Sequence, residues 1–195
     1  MKKRRFLSPF QGGIPAELLD SLRKAVAELD KAGIPSVVIG GLSLTFYFPQ
    51  CSTDDIDFAM DLEHEIPDRL EGFKKISNHM FEDRKNGVIV DIVTPNHINI
   101  PESVFNFALE TALSHVDVAS GSTIQVAIPL AVFAIKLSRA RVKDQAHLMW
   151  IMRAGFKPQE QDILDIGVPV DKIELYRFLQ TELVKELAEE KKMGW

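Results

Sequence analysis

The chain has 195 residues, 46% hydrophobic and 26% charged, with 23 Lys and Arg against 28 Asp and Glu and a net charge of −5. At roughly 100–200 residues per domain this is one compact domain, or one domain with a helical annex, and the composition excludes a disordered, collagen-like or disulfide-stapled chain. The acidic balance argues against a broad grip on a polyanion, because phosphate binding needs local Lys and Arg; any nucleotide contact must come from a local cluster or a bound metal.

The start, Met1-Lys2-Lys3-Arg4-Arg5, resembles the basic head of a secretory signal, but Phe6 to Gly13 lacks the apolar stretch that must follow. Leu18, Leu19, Leu22, Val26 and Leu29 recur at helical spacing, with Pro15 near the first turn and Gly33 past the end, so the pattern predicts an amphipathic helix from Ala16 to Ala32. Ser36 to Ile39 reads as a short buried strand running into Gly40-Gly41, then a short helix from Leu42 to Phe48, broken by Pro49. Cys51 is the only cysteine, which excludes an intrachain disulfide and a four-cysteine zinc site; a reducing, cytoplasmic setting fits.

Asp55 to Met60 alternates polar and apolar residues as a strand does. Pro67 to Ile76 reads as a helix with Leu70 and Phe73 inward, Asn86-Gly87 as a turn, and Val88 to Val93 as the strongest strand signal, stopped by Pro95. Short strands are expected at Val116 to Val118 and Thr123 to Ile128, around Ser120-Gly121-Ser122. From Pro129 the chain turns helical: Leu130 to Met152, Pro158 to Asp165, and Asp171 to about Lys191. The last of these, with Leu179, Leu183 and Leu187 on one side, can pack back or meet a partner. The order predicts an α+β fold, a small mixed sheet flanked by helices, with an α/β core over 1–128 and a helical C-terminal part over 129–195 packed on it as one unit. No run of about 18 apolar residues occurs, so no membrane span is expected.

Asp55 and Asp57 are two positions apart in a strand, so both side chains leave one face with Cα atoms about 6–7 Å apart. Two like charges side by side call for something to neutralise them, and magnesium takes such hard oxygen ligands while keeping waters and substrate phosphates in its shell. Asp91 is a third carboxylate, on the same face of its strand as Ile89 and Val93; it either meets the pair or sits at a solvated edge. A lone Asp-x-Asp more often lies on a solvated face. What adds specificity is Gly40-Gly41 at the end of a buried strand, where the missing side chains let backbone N–H groups approach a phosphate.

Lys136, Arg139 and Lys143 recur at i, i+3 and i+7, which puts them on one face of the predicted helix. They are the best local candidates for a triphosphate or RNA contact, although Leu137, Ala140 and Leu148 pattern the same helix for burial and a basic stripe opposite is also what a solvated face looks like. Arg141 and Asp144 can form a structural ion pair. His64, His79, His97, His115 and His147 show no metal-ligand spacing and read as surface or loop; Phe133, Trp150 and Met152 read as core.

An apolar residue followed by Gly-Gly, a spacer, acidic-apolar-acidic and a later third acidic residue resembles the polymerase-beta-type nucleotidyltransferase superfamily. Ile39-Gly40-Gly41, Asp55-Ile56-Asp57 and Asp91 meet each element in order. Within it the chain looks most like AbiEii-type toxin nucleotidyltransferases, the toxin halves of toxin and antitoxin pairs, and their relatives. Those commonly carry Arg-x-Thr-x-Asp-apolar-Asp; here Thr53 keeps its place and Cys51 stands where Arg is frequent. Lys136 and Arg141-Val142-Lys143-Asp144 match a later helical stretch, with His147 where an acidic residue is frequent.

The resemblance implies magnesium-dependent transfer of a nucleoside monophosphate from a nucleoside triphosphate to an acceptor hydroxyl on RNA, protein or a small molecule, with an antitoxin as a partner. Two Mg2+ ions, or Mn2+ in their place, would be held by Asp55, Asp57 and Asp91, the catalytic carboxylates. Gly40, Gly41, Ser43, Thr53, Lys136 and Lys143 would bind the nucleotide. The competing expectation is a catalytically inactive nucleotide-, metal- or partner-binding module of the same fold.

Overall fold

The computed structural model describes residues 14–48, 51, 53–117 and 120–193. The basic start, the break at Pro49 and the strand residue Val118 lie outside the described residues. Helix α1 (Ala16–Lys31) begins after Pro15, whose fixed φ suits a helix start, and ends before Gly33, which turns the chain at φ 68°. It leads into β1 (Ser36–Ile39), then directly into the short helix α2 (Gly40–Thr45). The helix therefore starts at the glycine pair itself, two residues earlier than the sequence pattern predicts. Strand β2 (Asp55–Met60) has the predicted bounds.

The predicted helix over Pro67 to Ile76 does not form. That stretch is turn followed by β3 (Phe73–Lys75), which pairs antiparallel with β4 (Met80–Asp83), a strand without an apolar run to announce it. Leu70 and Phe73 are buried as expected, but by a turn and a strand rather than a helix. The Asn86-Gly87 turn, with Gly87 at φ 77°, leads to β5 (Ile89–Val93). Helix α3 (Pro95–Ile98) then starts at Pro95, capped by the Thr94 hydroxyl, and α4 (Glu102–Glu110) follows.

Strands β6 (Leu113–Val116) and β7 (Thr123–Val126) form a hairpin, β6 starting three residues earlier than predicted. The long helix predicted over Leu130 to Met152 is two: α5 (Pro129–Arg139) and α6 (Val142–Arg153). They are separated at Ala140, which takes the left-handed φ of 53° and caps α5. Helices α7 (Glu160–Ile166) and α8 (Val170–Met193) complete the chain. Among the described residues no helix is long and apolar enough to cross a membrane.

The seven strands form one mixed sheet in the order β3-β4-β5-β2-β1-β7-β6. Strand β2 runs parallel to β5 and antiparallel to β1, and β1 is parallel to β7. Alternation divides the core into two layers. Val38, Ile56, Phe58, Val90 and Ile92 face α1 and its Leu22 and Leu29, while Val37, Ile39, Ala59 and Val93 face the helices α4 to α8. Helix α8 packs back on that second layer through Tyr176, Leu179 and Leu183, and the Tyr176 hydroxyl donates to the Pro158 carbonyl at 2.7 Å. Asp55, Asp57 and Asp91 share the parity of Ala59 and Val93, so the period of two turns all three toward the helical layer.

Candidate active site

The parallel register sets Asp57 directly opposite Asp91, while the antiparallel register of β1 sets Ile39 opposite Asp57. The chain leaves β1 at Ile39, so Gly40 lands against the Asp57 side chain. A Cβ at Gly40 would overlap Asp57 Oδ2, and Gly40 sits at φ 71°, where only glycine is free of strain. Gly41 is constrained too: a Cβ there would come within 2.7 Å of Thr53 Oγ1. The Thr53 hydroxyl donates to Asp55 Oδ1 and fixes that carboxylate.

These residues line a cavity of about 160 Å³ with Lys136, Arg139, Arg141, Lys143, Asp144 and His147 on its other wall. Of the sequence-predicted residues, Gly40, Gly41, Thr53, Asp55, Asp57, Asp91, Lys136 and Lys143 are brought together there. Ser43 is not. It is fully buried in α2, and its hydroxyl donates to the Gly40 carbonyl at 3.2 Å, which holds the glycine turn instead of facing the cavity. A larger cavity of about 470 Å³ lies at the opposite end of β1, away from the glycine pair and the three carboxylates.

The two walls carry opposite charge. Burial, then the neighbouring Asp55 and Asp91, pushes the Asp57 carboxyl up to about 7. Burial also raises Asp91. Among the described residues, Asp91 Oδ1 is buried and accepts no hydrogen bond, with His79 Nε2 3.8 Å away. Among the described residues no set of three or more His, Cys, Asp and Glu side chains is posed as a ready metal site. The donor chemistry nevertheless fits a hard cation: crowded carboxylates, one with an orphaned buried oxygen, one reluctant to ionise without a counter-charge.

Across the cavity, Lys136 is buried, and burial lowers its ammonium below the ordinary lysine range against the pull of Asp144 and Asp57. Its Nζ donates to His147 Nδ1 at 2.7 Å and lies 3.6 Å from Asp144. His147 must accept through Nδ1, hence is neutral; burial first, then Lys136 and Lys143, brings it down to about 4. Burial pushes the Asp144 carboxyl up, but the Arg141 hydrogen bonds and Lys136 outweigh it and hold the group below the usual carboxylate range. Arg141 and Asp144 thus form the structural pair that the sequence suggests.

Lys136, Arg139 and Lys143 do not share one helix face. They reach one cavity because the chain breaks at Ala140 and turns α6 back on α5. Among the described residues the Arg139 guanidinium makes no side-chain hydrogen bond and no ion pair. His147 was missed by spacing rules that look for metal ligands, since it acts here as a lysine partner. His79 and His97, also read as surface, stack at 4.7 Å beside Asp91, and His115 is buried. Trp150, read as core, is 46% exposed, while Phe133 and Met152 are core.

A crystal structure of an antigenic nucleotidyltransferase-like protein from Paracoccidioides brasiliensis resembles this chain with a TM-score of 0.51 and 14% identity, over 87% of this chain and 94% of that one. The solution structure of the antibiotic-resistance factor ANT(2'')-Ia aligns at a TM-score of 0.45 and 11% identity, over 92% of this chain and 100% of that one. The crystal structure of ANT(2")-Ia with adenylyl-2"-tobramycin aligns at 0.40 and 15%, over 89% and 94%. No protein-family model and no curated protein sequence matches the chain. The chain has a nucleotidyltransferase-like fold. In that fold the cavity just described sits where β1 gives way to the glycine pair, with the carboxylate strands β2 and β5 beside it.

Proposed function

We propose that the chain transfers a nucleoside monophosphate from a nucleoside triphosphate to an acceptor hydroxyl: the acceptor oxygen bonds the α-phosphorus, the bond to the β-phosphate breaks, and pyrophosphate leaves. The observation that carries this reading is the meeting of Asp57, Asp91 and Gly40 at one end of the sheet, facing a wall of Lys and Arg. Asp55, Asp57 and Asp91 would hold magnesium, which supplies neutralisation of the triphosphate and activation of the attacking oxygen. Gly40 and Gly41 make room for Asp57 and Thr53, and their backbone N–H groups on the cavity wall would meet phosphate oxygens. Lys136, Lys143 and Arg139 place positive charge opposite the carboxylates, and among the described residues the Arg139 guanidinium pairs with no side chain. Asp91 Oδ1, which accepts no hydrogen bond among the described residues, would take the acceptor's proton.

The acceptor is RNA, a protein side chain or a small molecule. The likeness of the Thr53-Asp54-Asp55-Ile56-Asp57 stretch to AbiEii-type toxins favours the first two and, with them, an antitoxin partner. The test is incubation with magnesium, each labelled triphosphate, and cellular RNA or protein, comparing the wild type with Asp55→Asn plus Asp57→Asn. Label transfer by the wild type alone is the expected result; transfer that survives the double substitution refutes the site.

A second reading, a binding module of the same fold without turnover, is favoured by one observation: among the described residues the carboxylates are not posed as a ready metal site. Nucleotide binding that does not need magnesium, with no transfer to any acceptor, would decide for it.

A further inference from the structure

The cavity of about 160 Å³ can take a chain of phosphates but is well below the roughly 300–1,000 Å³ that encloses a drug-sized ligand. A whole nucleoside triphosphate does not fit inside it, so the base must rest on surface that adjoins it. One wall of the cavity leads outward along α6. Lys143 and His147 line the cavity, and Trp150 follows them on the same helix face, at i, i+4 and i+7.

The His147 and Trp150 rings lie 6.0 Å apart at 35°, and His147 is fixed by the 2.7 Å hydrogen bond from Lys136. Trp150 is 46% exposed, whereas Leu148, Ile151 and Met152 of the same helix are buried; the core of α6 is complete without it. An indole left half in water keeps apolar ring surface available for contact. From Lys143 to Trp150 is seven residues, about 10 Å of helix, cationic at the cavity end and aromatic at the outer end. That order matches a nucleoside triphosphate, anionic at one end and planar at the other.

We propose that the His147 and Trp150 side chains form a stacking platform for the base of the donor nucleotide, so that the enzyme selects purine over pyrimidine triphosphates by stacking area rather than by edge hydrogen bonds. This rests on the nucleotidyl-transfer reading of the cavity. Stacking holds any base in proportion to its π surface, so adenine and guanine bind alike and uracil and cytosine bind more weakly.

The chain has two tryptophans, Trp150 and Trp195, so a Trp195→Phe background isolates Trp150 fluorescence. Into it are titrated non-hydrolysable ATP and UTP analogues and inorganic tripolyphosphate, with magnesium, and each Kd is also taken by calorimetry. The expected result is quenching by the ATP analogue, little by tripolyphosphate. Trp150→Ala should raise the Kd of the ATP analogue by about 5-fold to 150-fold, and that of tripolyphosphate not at all. Trp150→Phe, which keeps a ring, should recover most of the loss. An unchanged Kd for the ATP analogue in Trp150→Ala overturns the platform and leaves the nucleotide site standing. Failure of both the ATP analogue and tripolyphosphate to bind the wild type overturns the nucleotide reading and the platform with it. Quenching by an RNA oligonucleotide but not by the ATP analogue assigns the surface to an acceptor and overturns the proposal.

Discussion

Asp57 on β2 stands opposite Asp91 on β5 in a parallel register, and Gly40 closes on the Asp57 carboxylate from the end of β1. Strand register alone thus gathers two like charges, and Gly40 makes room for the Asp57 carboxylate. Such crowding costs stability, and a cation bound as proposed would offset that cost.

Asp57 gives this cost a pH signature. In the folded chain its carboxyl is held up to about 7, against an ordinary value of 3.8. Between those limits the folded state binds more protons than the unfolded one, so stability falls as pH rises through the window. Asp57→Asn should abolish transfer and, in chelator, be more stable than the wild type at pH 8 by about 1–3 kcal/mol, the gap closing below pH 4. Urea denaturation across that range is the measurement; parallel profiles would show that Asp57 is not strained. Magnesium should restore the wild type at pH 8 and leave the variant unmoved.

Gly40→Ala tests the same contact from the other side. The new methyl meets Asp57 Oδ2 and the backbone φ of 71° disfavours any side chain. A loss of about 2 kcal/mol or more is expected in denaturation, together with loss of triphosphate binding. A variant as stable as the wild type would mean that α2 and β2 separate easily.

The carboxylates, the glycine pair and most of the sheet were legible because strands carry their chemistry at a period of two. Asp55 to Met60 alternates cleanly, and nothing competes with that signal. Leu70, Phe73 and Ile76 misled because spacing of three mimics a helix, while the structure buries the first two from a turn and a three-residue strand. Strand β4 hid behind Asp83, a buried carboxylate held by Ser21 and Lys24, where a strand pattern expects an apolar residue. Above all, the break between α5 and α6 has no Gly or Pro to mark it. Ala140 is a helix former by propensity, and tertiary packing turns it left-handed.

The Lys136, Asp144 and Arg141 cluster is the second polar centre behind the cavity, with side chains of Lys136 and Asp144 only 7% and 2% exposed. Asp144→Ala leaves a buried ammonium and its neighbour without their counter-charge and should cost about 3–5 kcal/mol. Lys136→Met combined with Asp144→Leu should cost less than Asp144→Ala alone, because no buried charge is then stranded and the half-exposed Arg141 is left to water. Additive losses in a double-mutant cycle would contradict a coupled pair. The Asp144 carboxyl is held below its ordinary value, so its contribution is present above that value and is lost as pH falls through the lowered one. The gap between wild type and Asp144→Ala should therefore narrow in acid.

Ala140 joins Arg139 to Arg141 at the corner that brings both cations to the cavity, and its φ of 53° lies where a Cβ crowds the following carbonyl. Its N–H still donates to the Lys136 carbonyl at 2.9 Å, the bond that closes the end of α5. Glycine at this position keeps that bond and removes the crowding, at the cost of a more flexible unfolded chain. The two effects oppose, and the relief of about 1–2 kcal/mol is the larger. Ala140→Gly should accordingly raise stability by about 0.5–1 kcal/mol with transfer activity unchanged. Alanine is tolerated there only because packing of α6 against α5 holds the corner. Ala140→Val, whose branched side chain crowds the same carbonyl more, should lower both stability and triphosphate affinity as Arg139 and Arg141 move apart. Thermal melts and triphosphate titrations on the two variants decide it: a destabilised Ala140→Gly would mean that the left-handed turn carries no strain.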